Sequence, residues 1–264
     1  MEINIKTNRQ EFTLVVTLIT DSEQDLRIIL KDTDLPNTLY TNRILTINGK
    51  RTILIQVPLC NINAKLIIYN EKTKNIPKYS DGTFRLVDKP FMIPLEKRYD
   101  LIDYNETGLA SFLKFAQKFC INAGWMRTGN YRSDDGRYFI EFLPDIISSE
   151  PPYLPLNTSS RIAKDNGVIQ VSQVQFEPMT VPMRLVILCH EFAHYFVNKN
   201  IEDETEADLN GLNIYLGLGY PRIDAKNAFI DAFMGADYHM NMERMQVIQD
   251  FIDHYDNNQI LIKP

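Results

Sequence analysis

The apolar positions in the first hundred residues form short runs, partly alternating with polar residues, a pattern typical of β-strands. Val, Ile, Leu and Thr dominate these runs, and turn dipeptides such as Asn48-Gly49 and Asp81-Gly82 separate them. Short strands at near-regular spacing favour a small antiparallel sandwich or barrel. The predicted strands are Glu11–Thr20, Leu26–Leu30, Arg43–Ile47, Thr52–Pro58, Lys65–Tyr69 and Thr83–Val87.

The pattern changes around Lys89–Asp103, where two prolines and mixed charges replace any periodicity. A segment of this kind commonly separates domains, and 264 residues suffice for two small ones. We therefore expect a β-rich accessory domain at residues 1–95 and a second domain at residues 104–264. The first region contains no histidine and its acidic residues fall at turns and strand ends, so a docking role is expected for it.

The second half of the chain is mostly helical in its periodicity, with a few strand signals. Tyr138–Leu143 is a predicted strand, and Asp165-Asn166-Gly167 between two apolar runs predicts a hairpin of Arg161–Ala163 and Val168–Val174. Together with the strands above, these elements predict an α+β protein. The predicted helices are Glu106–Ala123, a helix from Pro182 capped by Thr180, Asp203–Leu216, Ile223–Met234 and Met240–Tyr255.

Composition and charge narrow the classes of partner. The formal net charge is −6 and no large cluster of Lys and Arg occurs, which argues against nucleic acid or an anionic membrane as the main partner. No run of about 18 apolar residues is present, so no membrane span is expected. The N-terminus lacks the continuous apolar stretch of a signal peptide, and we expect a cytoplasmic location, or a virion. Three widely spaced cysteines, Cys60, Cys120 and Cys189, are expected to be free.

The segment with the clearest chemistry is His190-Glu191-Phe192-Ala193-His194. Residues four apart share one face of a helix, so the two imidazoles point to one spot. Two neutral ring nitrogens at that spacing can occupy two corners of a zinc tetrahedron. Glu191 can reach a water at the metal without binding the metal, take its proton and hand it to a leaving amine.

A third ligand is expected ten residues later, in Glu204-Thr205-Glu206-Ala207-Asp208. Glu204 and Asp208 share a helix face, so Glu204 can bind the metal while Asp208 accepts a hydrogen bond from the other nitrogen of a zinc-binding histidine. Glu206 is the alternative ligand, but it lies about 200° around the helix from Glu204, so both cannot face the metal. Three protein ligands leave the fourth position open, as in catalytic zinc sites.

HEFAH followed by ETEAD resembles the HExxH and ExxxD signature of the gluzincins, the thermolysin-like zinc peptidases, over about residues 105–235. The resemblance implies a minimal zincin-like metallopeptidase domain with a small sheet and helices. It implies zinc on His190, His194 and Glu204, with Glu191 as general base. It also implies that an edge strand, expected at Val168–Val174, pairs with an extended peptide substrate.

The chain departs from the gluzincin pattern in two respects. The interval from His194 to Glu204 is very short for this superfamily and requires a tight turn. The residue that stabilises the oxyanion has no assigned position; the candidates are Tyr195, Tyr215, Tyr238 and His239. The metzincin pattern is excluded, because it needs Gly and His where this chain has Val197 and Asn200.

Two functions fit these expectations. The first is a zinc endopeptidase acting on a peptide or protein, with the N-terminal β domain used for docking. The second is a structural protein, because a β-rich half joined to a compact HExxH domain resembles virion-associated proteins of tailed phages, including crAss-like ones. In that case the β domain would join a virion or other protein assembly, and the site would be silent or would only stabilise the fold. The presence of Glu191 beside the ligands favours the first function.

Overall fold

In a computed structural model of the chain, the described residues are 1–74, 82–96, 107–233 and 238–255. The protein combines a six-stranded antiparallel sheet, a four-stranded sheet and helices, which confirms the predicted α+β class. It divides into two compact units, Met1–Lys97 with Gly219–Pro221, and Arg98–Leu218 with Arg222–Pro264. Of the predicted boundary at Lys89–Asp103, residues 97–103 lie outside the described residues. Among the described helices, none has the length and apolar character needed to cross a bilayer.

The six strands of the first unit belong to one sheet with the order β1-β4-β2-β3, in which β5 and β6 also pair with β2. Alternate residues of β2, among them Leu26, Ile28 and Leu30, are fully buried and form the core of this unit. The strands are β1 (Glu2–Lys6), β2 (Phe12–Asp32), β3 (Leu39–Val57), β4 (Asn63–Asn70), β5 (Arg85–Leu86) and β6 (Phe91–Ile93).

The prediction of a chain reversal at Asn48-Gly49 was wrong. Here β3 continues straight through the dipeptide and pairs with β2 on both sides of it, so β2 and β3 each merge two predicted strands. The register shifts between Thr20 and Gln24, directly opposite, and Gly49 has a φ of 73°. The dipeptide therefore allows a bulge that bends two long strands, because glycine accepts a positive φ without steric cost.

The sheet of the second unit has the order β7-β8-β10-β9, with β10 parallel to β8 and antiparallel to β9. The predicted strand at Tyr138–Leu143 and the predicted hairpin are confirmed. The expectation of an edge strand at Val168–Val174 was wrong, because β10 has partners on both sides and the edges of this sheet are β7 and β9. The strands are β7 (Gly129–Arg132), β8 (Phe139–Leu143), β9 (Ser160–Ile162) and β10 (Ile169–Ser172).

All the predicted helices are present; their predicted end residues Glu106 and Met234 lie outside the described residues. The single-turn helix α2 was not predicted. Thr180 caps α3 as expected, since its hydroxyl accepts a hydrogen bond from the Met183 backbone N–H at 3.3 Å. The helices are α1 (Thr107–Asn122), α2 (Gln173–Phe176), α3 (Val181–Phe196), α4 (Glu204–Gly217), α5 (Arg222–Phe233) and α6 (Tyr238–His254).

Helix α3 is the central element of the second unit and is buried along most of its length. Even Arg184 on this helix is fully buried. Its guanidinium donates to the carbonyl oxygens of Cys120 at 2.8 Å, Phe176 at 3.0 Å and Glu177 at 2.6 Å. These oxygens lie at the ends of α1 and α2, where carbonyls lack partners within the helix. Arg184 therefore ties three helices together directly before the HEFAH segment.

Candidate metal centre

The two imidazoles of α3 face one another through their Nε2 atoms, which are 3.1 Å apart. Both rings are held from behind by acceptors at Nδ1. His194 Nδ1 lies 2.9 Å from the Ile201 carbonyl oxygen, and His190 Nδ1 lies 2.8 Å from Asp208 Oδ1, a close contact that is out of line for a hydrogen bond. A proton on each Nδ1 leaves each Nε2 with a free lone pair, so both lone pairs are directed to the same point.

The short interval between α3 and α4 supplies one of these acceptors itself. Ile201 lies within it, so the tight turn positions the ring of His194. Asn198 stabilises the turn by donating to the Asp203 carbonyl oxygen at 3.0 Å. The Asp203 carboxylate caps α4 by accepting from the Glu206 backbone N–H at 2.9 Å. Helix α4 thus begins directly beside the histidines.

Glu204, the first residue of α4, completes the group. One carboxylate oxygen lies 3.4 Å from His194 Nε2 and the other lies 3.6 Å from His190 Nε2. The hydrogen bond to His194 and the nearby imidazoles and Arg244 lower the pKa of Glu204 to about 2. The carboxylate is therefore ionised at neutral pH, as a metal ligand must be.

The spacing of the three side chains can be compared with a zinc site. The ligand atoms of His190, His194 and Glu204 all lie within 4.8 Å of one another. Zinc bonds of about 2.0–2.1 Å in a tetrahedron place ligand atoms about 3.3–3.4 Å apart. The separation of 3.1 Å between the imidazole nitrogens, and those of 3.4 and 3.6 Å from them to the two different oxygens of Glu204, are close to that value, so the three residues could hold a metal ion of the size of zinc.

Glu206, the alternative ligand, is turned away from the histidines. Its carboxylate accepts hydrogen bonds from the backbone N–H groups of Lys199 at 3.2 Å and Asn200 at 3.3 Å. It therefore stabilises the turn before α4, and Glu204 is the acidic residue that the structure brings to the imidazoles.

Asp208 links the centre to a residue that the sequence did not reveal. Its side chain is fully buried; Oδ1 faces His190, and Oδ2 accepts from Arg244 Nε at 2.9 Å and Nη2 at 2.8 Å. Arg244, on α6, also lies 3.3 Å from Glu204 Oε2. Burial by itself would lower the pKa of His190. The contact with Asp208 and the negative charges of Asp208, Glu191 and Glu204 outweigh burial, so the pKa of His190 is raised.

The close approach of α3 and α4 depends on Gly211. A Cβ added there would lie 2.7 Å from the His190 backbone nitrogen and 2.9 Å from its Cα. Only glycine at position 211 therefore allows α3 and α4 to approach this closely. Glu204 and Asp208 lie on the same helix, N-terminal to this contact, so the backbone contact sets their distance from the histidines.

Glu191 lies between the metal centre and the edge strand. It is 6% exposed, and its Oε1 accepts a hydrogen bond from Ser160 Oγ at 2.7 Å. Ser160 begins β9, and no motif in the sequence pointed to it. A cleft opens here, with β9 on one side and α5 on the other. Its apolar wall consists of Ile187, Ala228, Phe229 and Ala232.

The oxyanion candidates divide into two groups. Tyr215 is fully buried, and Tyr195 packs against the Gly167 turn and Phe196, so neither lies among the residues that line the cleft. The side chains of Tyr238 and His239 lie outside the described residues.

No family model matches this chain, and no curated protein or solved structure is similar to it. In this site, two imidazoles of α3 converge with the carboxylate of Glu204. The buried carboxylate of Asp208 lies beside them, on the same helix as Glu204.

Proposed function

We propose that the chain is a zinc-dependent peptidase of the gluzincin kind. The observation that carries the proposal is the triangle of His190 Nε2, His194 Nε2 and Glu204, with both Nδ1 atoms held by outer acceptors. Three protein ligands with an open fourth position are typical of catalytic rather than structural zinc sites. Bound zinc would supply Lewis acidity and lower the pKa of a water at that position to about 7.

The residues around the triangle would keep the ligands oriented. Asp208 holds the ring of His190, and the Ile201 carbonyl holds the ring of His194. Arg244 neutralises the buried charge of Asp208 and part of that of Glu204. Outer partners of this kind fix the tautomer and direction of metal-binding histidines and typically change metal affinity 10–100-fold.

Glu191 is the proposed general base. Its carboxylate would take a proton from the attacking water and deliver it to the nitrogen of the departing amine. The substrate would lie along β9, the edge of the sheet at the cleft, because an edge strand offers backbone N–H and C=O groups to an extended peptide. The apolar wall with Ile187 and Phe229 favours an apolar substrate side chain next to the scissile bond.

A second candidate is a structural role in a virion or other assembly, with zinc held for stability. The specific observation that favours it lies in the β-rich unit. The edge residues Phe91, Met92 and Ile93 of β6 are 54%, 43% and 40% exposed. Successive strand residues point to opposite faces, so apolar side chains are exposed on both faces of this strand, which favours contact with another protein.

Zinc stoichiometry and peptide cleavage, measured on matched variants, test the proposal. We expect about one zinc per chain, lost in Glu204→Ala and kept in Glu206→Ala, because only Glu204 faces the imidazoles. We expect Glu191→Gln to keep its zinc and to cleave a quenched fluorescent peptide library about 100–10,000-fold more slowly than the natural sequence.

Two results would contradict the peptidase. If no zinc is bound even after refolding with the metal, the triangle is not a zinc site. If zinc is bound but the natural sequence and Glu191→Gln are equally inactive towards the library, the structural role takes its place.

A further inference from the structure

The hydrogen bond between Ser160 and Glu191 joins two buried side chains on different elements. Ser160 is 5% and Glu191 is 6% exposed, and their oxygens are 2.7 Å apart. The backbone of Ser160 is fixed by pairing with Val171, and its carbonyl accepts from Thr158 Oγ1 at 2.7 Å. The hydroxyl is therefore a preorganised donor, held by the sheet rather than by α3.

The bond determines how Glu191 can present its carboxylate. A glutamate side chain has three rotatable bonds, and a carboxylate with no donor would sample several orientations. With Oε1 engaged by Ser160, Oε2 is the oxygen left to exchange a proton. Because general base catalysis requires hydrogen-bond reach to the proton that is removed, a fixed orientation favours the reaction.

We propose that Ser160 is a positioning residue that holds Glu191 as the base, an inference that rests on the proposed peptidase function. The HExxH pattern contains no such donor, since Ser160 lies 31 residues earlier in the chain. Ser160 also belongs to the strand along which the substrate would pair, so one strand both holds the substrate and orients the base.

The test compares Ser160→Thr with Ser160→Val, two side chains of similar shape of which only threonine retains the hydroxyl. Ser149→Ala, at an exposed serine outside the cleft lining, is the control. We expect Ser160→Val to lower kcat about tenfold or more with KM within about twofold, as for an interaction made in the transition state. Ser160→Thr should restore kcat, and zinc content should be unchanged in all three.

A double-mutant cycle separates positioning from general packing. In the Glu191→Gln background, Ser160→Val should cause no further fall in cleavage, because the base that it orients is gone. The same cycle, measured by thermal unfolding of the zinc-free chain, should show coupling between the two positions without any use of activity.

The outcomes distinguish this inference from the proposed function. If Glu191→Gln cleaves as fast as the natural sequence, the peptidase mechanism itself fails. If Glu191→Gln is inactive but Ser160→Val keeps kcat within about twofold of Ser160→Thr, or acts equally in both backgrounds, only the positioning role of Ser160 is overturned.

A second, independent inference comes from a groove on the same unit, which we call the α1–β7 groove. It has a volume of about 1100 Å³ and is bordered by α1 and by β7, an edge strand of the sheet. The rings of Phe119 and Tyr131 meet edge-to-face at its floor with centroids 5.8 Å apart. Phe115, Trp125 and Met126 complete the apolar lining.

The rim of the groove is basic although the chain carries a net charge of −6. Of its acidic residues, Asp134 is paired with Lys114 at 2.7 Å, and Asp135 accepts hydrogen bonds from Ser111 at 2.6 Å and Ser133 at 2.7 Å. Asp135 keeps its negative charge, but Lys118, Arg127 and Arg132 outnumber it, so the rim carries a net positive charge. The groove therefore complements a partner that is both apolar and acidic.

We infer that the α1–β7 groove binds an extended peptide segment with alternating acidic and apolar side chains. No described strand pairs with the outer edge of β7, so this edge offers backbone hydrogen bonds to such a segment. The floor takes its apolar side chains, and the rim takes its carboxylates. Trp125, the only tryptophan of the chain, lies on this groove and is 51% exposed, so it reports binding directly.

Titration of Trp125 fluorescence with an acetylated heptapeptide of alternating glutamate and valine tests the inference, in EDTA so that no cleavage occurs. We expect a saturable change that weakens at least about fivefold in Lys118→Glu and Arg127→Glu and is unchanged in Lys50→Glu, an exposed position on β3 outside the groove lining. Equal binding of a lysine–valine heptapeptide, or a response to anionic vesicles and not to the peptide, would overturn it.

Discussion

Replacing Arg184 by methionine tests whether the buried guanidinium holds α3, the helix that carries the two imidazoles, in place. The side chain is fully buried and donates to three carbonyl oxygens at the ends of α1 and α2. Burial lowers the pKa of Arg184 to about 10, so the group still carries its charge at neutral pH. Methionine keeps much of the apolar stem of arginine but donates no hydrogen bond.

The expected loss of stability follows from the carbonyl groups that lose this donor. The Phe176 carbonyl keeps the Met179 backbone N–H at 3.2 Å, so the cost falls mainly on the carbonyls of Cys120 and Glu177. Each buried acceptor that loses its partner costs about 1–3 kcal/mol. Partial relaxation and the retained stem offset some of this cost, so we expect the free energy of unfolding to fall by about 2–4 kcal/mol. For a unit of this size, a loss of 1 kcal/mol lowers Tm by about 2–4 °C, which gives a fall of about 4–16 °C.

Differential scanning calorimetry of the metal-free protein is the suitable assay, because bound metal would raise Tm by mass action. The control is Arg137→Met, since Arg137 has a side chain that is 55% exposed and only a 3.6 Å contact with Asp135. We expect that control to change Tm by less than about 2 °C. A fall in Arg184→Met as small as that of the control would refute the reasoning that this guanidinium ties the helices together.

Three further perturbations have expected outcomes. Gly211→Ala should weaken zinc binding in chelator competition about tenfold or more and lower Tm, because its Cβ would meet the His190 backbone; unchanged affinity would contradict the close-contact argument. Asp208→Asn should weaken zinc binding about 10–100-fold with the fold retained on circular dichroism. Tyr40→Phe removes a buried 2.6 Å hydrogen bond to Asp32 and should cost about 1.5–3 kcal/mol in urea unfolding at neutral pH. Burial and then that bond raise the pKa of the Tyr40 hydroxyl, so the folded state holds the phenolic proton more tightly than the unfolded state. The stabilisation is therefore complete below about pH 10, and the difference in unfolding free energy between the natural sequence and Tyr40→Phe should shrink above that pH.

The local elements of the second unit could be read from the sequence because their signals are local. Asp165-Asn166-Gly167 specified the hairpin, Thr180 specified the start of α3, and periodicity specified the helices. Asn48-Gly49 misled for a physical reason. The dipeptide accepts a positive φ in either a turn or a bulge, and only the pairing of β3 along the whole of β2 decides between them.

Long-range contacts account for what the sequence did not reveal at the site. A face shared by residues four apart is enough to pair Glu204 with Asp208, because the helix fixes that geometry. Ser160 and Arg244 reach the centre from 31 and 36 residues away in the chain, and no spacing rule covers such distances. The strand order, which made β9 rather than β10 the edge, is likewise a property of the assembled sheet.

The helix contact at Gly211 also bears on the order of events when the protein matures. Because two backbones in contact set the spacing of the ligands, and because Asp208 and Ile201 already orient the rings, the ligand positions do not depend on an ion drawing the helices together. In zinc fingers, by contrast, metal capture and folding are one event. Under the proposed function, this chain would therefore fold first and bind its ion afterwards, in two separate events.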